Sequence, residues 1–238
     1  MAMLSQPAVY STITLILAGV TRPTISTLPK GQTMRVLFVH GMGRSTLSGW
    51  PMLLLLRRAG LKTSTFGYAT SLEGFSAISK RLASKILAVA AQEEYVLIGH
   101  SLGGVLLRAA INILPADARP PRHLFLLGSP QQPARLAQRL HKNPIYRVFT
   151  RDCGQLLGSA SQMSEVGPVT VPTTSIVGIR GLSSKRSPFN GDANDGVVSV
   201  SEASAEWITD QVLIPTVHTL LPSSRRVAEI ILDRVPPK

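Results

Sequence analysis

Three features of the sequence predict an α/β architecture: a mostly parallel central sheet with helices on both faces. Short apolar runs alternate with stretches of helical periodicity along most of the chain. Several of the runs are apolar almost throughout rather than at every second position, the mark of strands covered on both sides. The intervening segments are long enough for right-handed crossovers, so that consecutive strands run parallel. In such sheets chemistry gathers at the carboxyl ends of the strands, which is where functional residues are sought below.

Taken in order, Met34 to His40 (MRVLFVH) reads as the first firm strand and ends in Gly41-Met42-Gly43. A helical pattern follows from about Ser45, a possible cap, to Ala59, with Pro51 suited to a first helical turn. Leu61 to Tyr68 alternates as a strand does. Phe75 to Ala91 carries apolar residues at helical spacing and leaves Lys80, Arg81 and Lys85 on its outer side. Tyr95 to Ile98 is a strand and Val105 to Leu114 a helix stopped by Pro115. His123 to Leu127 is a buried strand, and Pro133 to His141 reads as helical. From Lys142 to Val171 periodicity is lost. Thr173 to Val177 and Gln211 to Val217 are the last strands, and Val227 to Arg234 is a closing helix.

The chain has 238 residues, enough for one sizeable core, and no linker splits residues 34–238. Residues 1–33 read as a peripheral extension, with a short targeting segment or an extra edge strand as the alternatives. The apolar run Ile13 to Val20 is too short to span a bilayer, and no basic segment precedes it as in a secretory signal. This points to a cytoplasmic protein or one held at a membrane periphery. With 44% hydrophobic and 16% charged residues the chain is globular. Its single cysteine, Cys153, excludes an internal disulfide and a cysteine-built metal site.

The net charge of +12 is unusual, and the first acidic residue is Glu73. Basic residues are nevertheless spread along the chain without a nucleic-acid-binding motif, so nucleic acid is not an expected partner. A solvated basic surface is the plain reading; attraction to anionic lipid head groups is the functional one.

The most informative stretch is Tyr95-Val96-Leu97-Ile98-Gly99-His100-Ser101-Leu102-Gly103-Gly104. It places Gly-x-Ser-x-Gly between a strand and a helix. A serine on so tight a turn holds its Oγ out at the top of the sheet, and the helix start supplies free amides beside it. Ser101 is therefore the candidate nucleophile, the other reading being a structural glycine turn. Of the five histidines, only His218 follows the last strand and precedes a turn, where a base is expected in the order serine, acid, histidine. The acid belongs between them, in Phe189-Asn190-Gly191-Asp192-Ala193-Asn194-Asp195-Gly196-Val197-Val198. Asp192 and Asp195 both qualify by position. The density of Asp and Asn there also raises calcium, but EF-hand spacing is absent and no metal is expected. Two backbone donors for an oxyanion are expected from Leu102, after the nucleophile, and from Met42 in the loop after the first strand. His40 reads as a residue that shapes that loop.

His40-Gly41-Met42-Gly43, Gly99-His100-Ser101-Leu102-Gly103-Gly104, Gly128-Ser129-Pro130 and Asn194-Asp195-Gly196-Val197-Val198, in this order, resemble the lipase and esterase branch of the α/β-hydrolase superfamily. The likeness is to compact bacterial lipases and to acyl hydrolases related to GPI-inositol deacylases, and covers residue 34 to the end. It implies an α/β-hydrolase fold and a triad of Ser101, Asp195 and His218, with Asp195 preferred to Asp192. It further implies cleavage of a carboxylic ester, lipid or other acyl, through an acyl-enzyme and without a cofactor. Thioesterase, amidase or acyltransferase chemistry on the same residues, and a non-catalytic scaffold, are the alternatives. Relatives often carry histidine after Gly-Ser-Pro, where this chain has Gln131-Gln132-Pro133. No insertion is long enough for a full cap domain; only 142–171 has the length of a modest lid.

Overall fold

The computed structural model describes residues 12–15, 34–182, 184 and 187–235. Its sheet has seven strands, every neighbouring pair parallel, in the order β1-β7-β6-β5-β4-β2-β3. These are β1 (Thr12–Leu15), β2 (Met34–Val39), β3 (Lys62–Phe66), β4 (Glu94–His100), β5 (His123–Leu127), β6 (Thr173–Gly178) and β7 (Asp210–Ile214). Within the first 33 residues, Thr12–Leu15 pair with β7 as an edge strand. The rest of the apolar run to Val20 lies outside the described residues.

Successive side chains of a strand point to opposite faces, and here both faces are covered. Leu37 and Val39 of β2, Leu97 of β4 and Leu124 and Leu126 of β5 enter one core. Over that core lie α2 (Phe75–Ala90) and α3 (Leu102–Asn112). Val36 and Phe38, Val96 and Ile98, and Phe125 and Leu127 enter the other. That side is closed by α1 (Trp50–Arg58) and α7 (Arg225–Arg234), which pack on each other. The unbroken apolar runs are thus two interleaved stripes, one for each core.

The structure departs from the periodicity reading in two places. Ser45 makes no side-chain cap; a 3-10 turn over Thr46–Gly49 precedes α1, whose first turn holds Pro51. The stretch 142–171 is helical, not irregular. It follows α4 (Arg135–Leu140) and forms α5 (Pro144–Gly158) and α6 (Ala160–Val166). Its pattern is hard to read because α5 is two short helices joined at Arg151, whose φ of 47° and ψ of −135° break the register. Cys153, Leu156, Leu157, Met163 and Val166 join the first core, so the later part of this stretch is a fixed wall. Among the described residues no helix is long and apolar enough to cross a membrane.

His123 opens the central strand β5 at its amino end, opposite the strand ends that carry Ser101, and its Nε2 lies 2.9 Å from Thr174 Oγ1. Burial, with Arg234 nearby, pushes its imidazole down to about 4 from an ordinary 6.5. The unfolded chain takes up this proton first as pH falls. Stability from this residue is therefore full above pH 6.5, declines below it, and stops declining near pH 4. The loss amounts to about 3 kcal/mol at most. Urea unfolding at neutral pH and near pH 4.5 should show a smaller acid-induced loss in His123→Gln than in the wild type.

Candidate active site

The strand β4 ends at His100 and α3 begins at Leu102, leaving Ser101 alone on the turn with φ 53° and ψ −124°. A non-glycine residue in that region costs about 1–3 kcal/mol and persists only where its surroundings impose it. Glycine allows the close packing that does so. A Cβ on Gly103 would lie 2.4 Å from the carbonyl oxygen of Val39 and 2.5 Å from that of His40. The α3 backbone thereby rests against the end of β2. The Ser101 amide donates to Leu127 O at 2.9 Å, tying the turn to β5 as well.

Asp195 and His218 meet although 23 residues apart. His218 Nδ1 is 2.7 Å from Asp195 Oδ2, and the His218 amide donates to Asp195 O at 2.9 Å. The Asp195 side chain is fully buried; its other oxygen, Oδ1, accepts from the amides of Val197 and Val198 at 2.9 and 2.8 Å. The three bonds to its oxygens hold the carboxylate in one orientation. An acceptor at Nδ1 places the ring proton there and leaves Nε2 as the free base. Asn194 builds the loop: its side chain bonds Leu182 N and O, Gly196 N and Asp192 O. Gly196, at φ 99°, turns the chain sharply after the aspartate.

Asp192 lies elsewhere. Its Oδ2 accepts from Ser201 Oγ at 2.5 Å and faces Arg135 Nη1 at 3.5 Å. Burial pushes its carboxyl up, but the hydroxyls of Ser201 and Ser199 and the Arg135 guanidinium outweigh that and hold it below the usual carboxylate range. It is a surface ion pair with no contact to His218.

His100 connects the serine turn to the histidine loop. Its Nε2 donates to His218 O at 3.1 Å, and the two rings lie 4.7 Å apart between centroids. Burial first, then the neighbouring His218, holds the His100 imidazole well below its ordinary value, so it stays neutral. No hydrogen bond joins Ser101 Oγ to His218 among the described residues.

The loop after β2 crosses directly over the serine. A Cβ on Gly41 would sit 3.1 Å from Ser101 Cβ and 2.8 Å from His100 Nδ1. Arg44 N donates to Gly41 O at 3.2 Å, closing a tight turn with Gly43 at φ 66° in its third position. The Met42 side chain packs on the first core, and its amide has no acceptor among the described residues. The Leu102 amide, first in α3, has no intrahelical acceptor to reach.

Tyr68 holds this loop, a role with no signal in the sequence beyond its position just after β3. Its ring stacks on His40 at 4.4 Å, nearly parallel, and its hydroxyl donates to His40 O at 2.9 Å. His40 Nδ1 donates to Gly41 O at 2.8 Å and Nε2 accepts from the Tyr68 amide at 3.3 Å. Burial keeps the tyrosine protonated and the histidine neutral. Tyr68→Phe should keep the fold while lowering kcat/KM on an acyl ester about tenfold, the worth of one such hydrogen bond. An unchanged kcat/KM would remove Tyr68 from this role.

Two further residues have places that no pattern in the sequence assigns. Gly128, at φ 53°, lies against the Asp195–His218 pair. Glu202 is buried and accepts from Arg135 N at 2.5 Å and Ser199 N at 2.6 Å, pinning the far side of the aspartate loop. Its carbonyl also accepts from the amides of Gln131 and Gln132, the pair that departs from the expected pattern. His141 is exposed on the end of α4, away from these residues. No group of three or more potential metal-ligating side chains occurs among the described residues.

The chain matches no model of a known protein family and no characterised protein by sequence. Solved structures, by contrast, match it in number. A Bacillus licheniformis lipase, BlEst2, superposes with a TM-score of 0.61 at 16% identity, over 87% of this chain and 52% of that one. The RedJ thioesterase of Streptomyces coelicolor gives 0.54 at 15%, over 90% and 91%. The phospholipase PlaB of Legionella pneumophila gives 0.56 at 17%, over 72% of this chain and 45% of the phospholipase. This chain thus spans less than half the length of that phospholipase. At such identities the likeness is one of fold, and the fold of this chain is that of the α/β-hydrolases.

Proposed function

We propose that the protein hydrolyses carboxylic esters of acyl groups through a covalent acyl-enzyme. The observation that carries this reading is the buried Asp195–His218 pair, with His218 tied through His100 to the turn that presents Ser101. Ser101 Oγ attacks the ester carbonyl carbon while His218 Nε2 takes its proton. Asp195 keeps the imidazole in the right tautomer and stabilises the imidazolium that forms. The tetrahedral oxyanion is received by the amides of Met42 and Leu102. As it collapses, His218 returns the proton to the departing alcohol. Water, activated by the same histidine, then attacks the acyl-serine and releases the acid. Each proton is carried by His218, so no cofactor takes part in a step.

The lipase, phospholipase and thioesterase among the structural neighbours support acyl transfer to water as the chemistry. A thioester would be cleaved by the same steps with a thiol leaving. The test is the initial rate on a chain-length series of p-nitrophenyl esters, with Ser101→Ala alongside. The variant should lose at least about 10⁴-fold in kcat. A fluorophosphonate should label Ser101 in the wild type. Folded protein that neither turns over any ester nor takes the label would overturn the reading in favour of a binding scaffold.

A further inference from the structure

Nine large apolar side chains stand exposed among the described residues; Trp50 at the start of α1, Ile113 at the end of α3 and Leu182 after β6 are three of them. Of the other six, Leu47 follows β2, Leu72 follows β3, Ile145, Val148 and Phe149 follow β5 by way of α4, and Leu220 follows β7. All six stand in connections that leave the carboxyl ends of strands, the edge that carries Ser101. The densest group is on α5. Ile145, Val148 and Phe149 lie three and four residues apart, on one stripe, and are 68%, 70% and 64% exposed. Leu72, 78% exposed, adjoins them. Thr70 Oγ1 donates to Phe149 O at 2.9 Å, and the Arg151 guanidinium donates to Leu72 O at 3.3 Å. The other side of this helix is anchored by the half-buried Tyr146 and the buried Thr150.

Cations outnumber carboxylates around this stripe. No acidic residue precedes Glu73, and none stands between Asp117 and Asp152. Glu73 is engaged by Arg81, and Asp152 accepts from the Phe75 amide. Lys142, Arg147 and Arg151 are exposed beside the apolar stripe, and none of them pairs with a carboxylate among the described residues. Such a surface is costly in water and complementary to one environment in particular. An anionic lipid surface accepts apolar side chains below its head groups and cations among them.

We infer that the α5 stripe and the Leu72 turn dock the protein on an anionic lipid surface, bringing the Ser101 edge to the membrane. This rests on the ester-hydrolase reading for its purpose, since docking there delivers an acyl ester to the serine. The binding itself is independent of turnover. Sedimentation with vesicles tests it, using Ser101→Ala so that the lipid survives. The protein should partition onto phosphatidylcholine vesicles containing phosphatidylglycerol, much less onto phosphatidylcholine alone, and should be released by salt.

In that background, Val148→Ser with Phe149→Ser should lower the partition coefficient by about tenfold or more. Lys142→Gln with Arg147→Gln should lower it by about thirtyfold, at about 1 kcal/mol for each cation. With Ser101 restored, both double variants should hydrolyse a water-soluble short-chain ester at the wild-type rate, which also reports that they fold. Three results would overturn the docking surface. The folded parent could stay in solution with anionic vesicles, or the variants could partition as it does. The parent could instead self-associate through Phe149 without binding lipid. Absence of soluble-ester turnover in every protein would count against the hydrolase reading alone, with the vesicle result still deciding the surface.

Discussion

Asp195→Asn should reduce kcat on an acyl ester by about 10⁴-fold, with little change in KM. The amide retains the shape of the carboxylate, and an acceptor oxygen remains for Val197 N and Val198 N at 2.9 and 2.8 Å. What changes is the atom facing His218 Nδ1 at 2.7 Å. An amide nitrogen there donates, which forces the imidazole into the tautomer with its proton on Nε2 and removes the base from the serine side. The lost negative charge also leaves the imidazolium without its buried counter-ion. Asp192→Asn provides the contrast, because that carboxylate pairs with Arg135 and Ser201 near the surface. It should leave kcat within about twofold and cost at most about 1 kcal/mol of stability. Steady-state kinetics with both variants decides between the two aspartates. A large loss in Asp192→Asn with none in Asp195→Asn would invert the assignment.

Gly128→Ala should strike the Asp195–His218 pair directly. The new Cβ would meet Asp195 Oδ2 at 2.7 Å, Leu221 Cδ1 at 2.8 Å and His218 Nδ1 at 2.9 Å. None of these can withdraw cheaply. Asp195 is held by backbone amides, and Leu221 is fully buried in the second core. The backbone adds its own objection, since φ is 53° and an alanine there costs about 1–2 kcal/mol. Moving the pair by a few tenths of an ångström loosens the base from its acid. We expect kcat to fall about 10²-fold or more, with a loss of thermal stability besides. Measuring kcat on protein that is folded by circular dichroism separates the two. Wild-type activity in the alanine variant would mean that the pair does not need its observed position.

The alternation of strands and helices was legible in the sequence because burial on both faces demands unbroken apolar runs, and strands such as β2 and β5 have them. Ser101 was legible for a related reason. A serine wedged between a buried strand and a helix needs glycine wherever backbones touch, and Gly99, Gly103 and Gly104 leave that mark. The 142–171 region was not legible as helix, because α5 is broken at Arg151 and periodicity needs length. β1 was legible only as one alternative for residues 1–33, because the apolar run Ile13 to Val20 that holds most of it carries no local signal of its partner β7.

The local pattern of residues was thus enough to set the strands, the serine turn and the fold class, since each depends on neighbours in the chain. The resemblance already favoured Asp195 over Asp192, but only the tertiary structure shows which of them meets His218, because both lie in one short loop and its path brings a single carboxylate to the imidazole. The tertiary structure likewise brought Tyr68 onto His40, set Gly128 against the Asp195–His218 pair and pinned the loop with Glu202. Contacts of this kind join residues far apart in the chain, and their energies depend on distances of a few ångströms that no local pattern encodes.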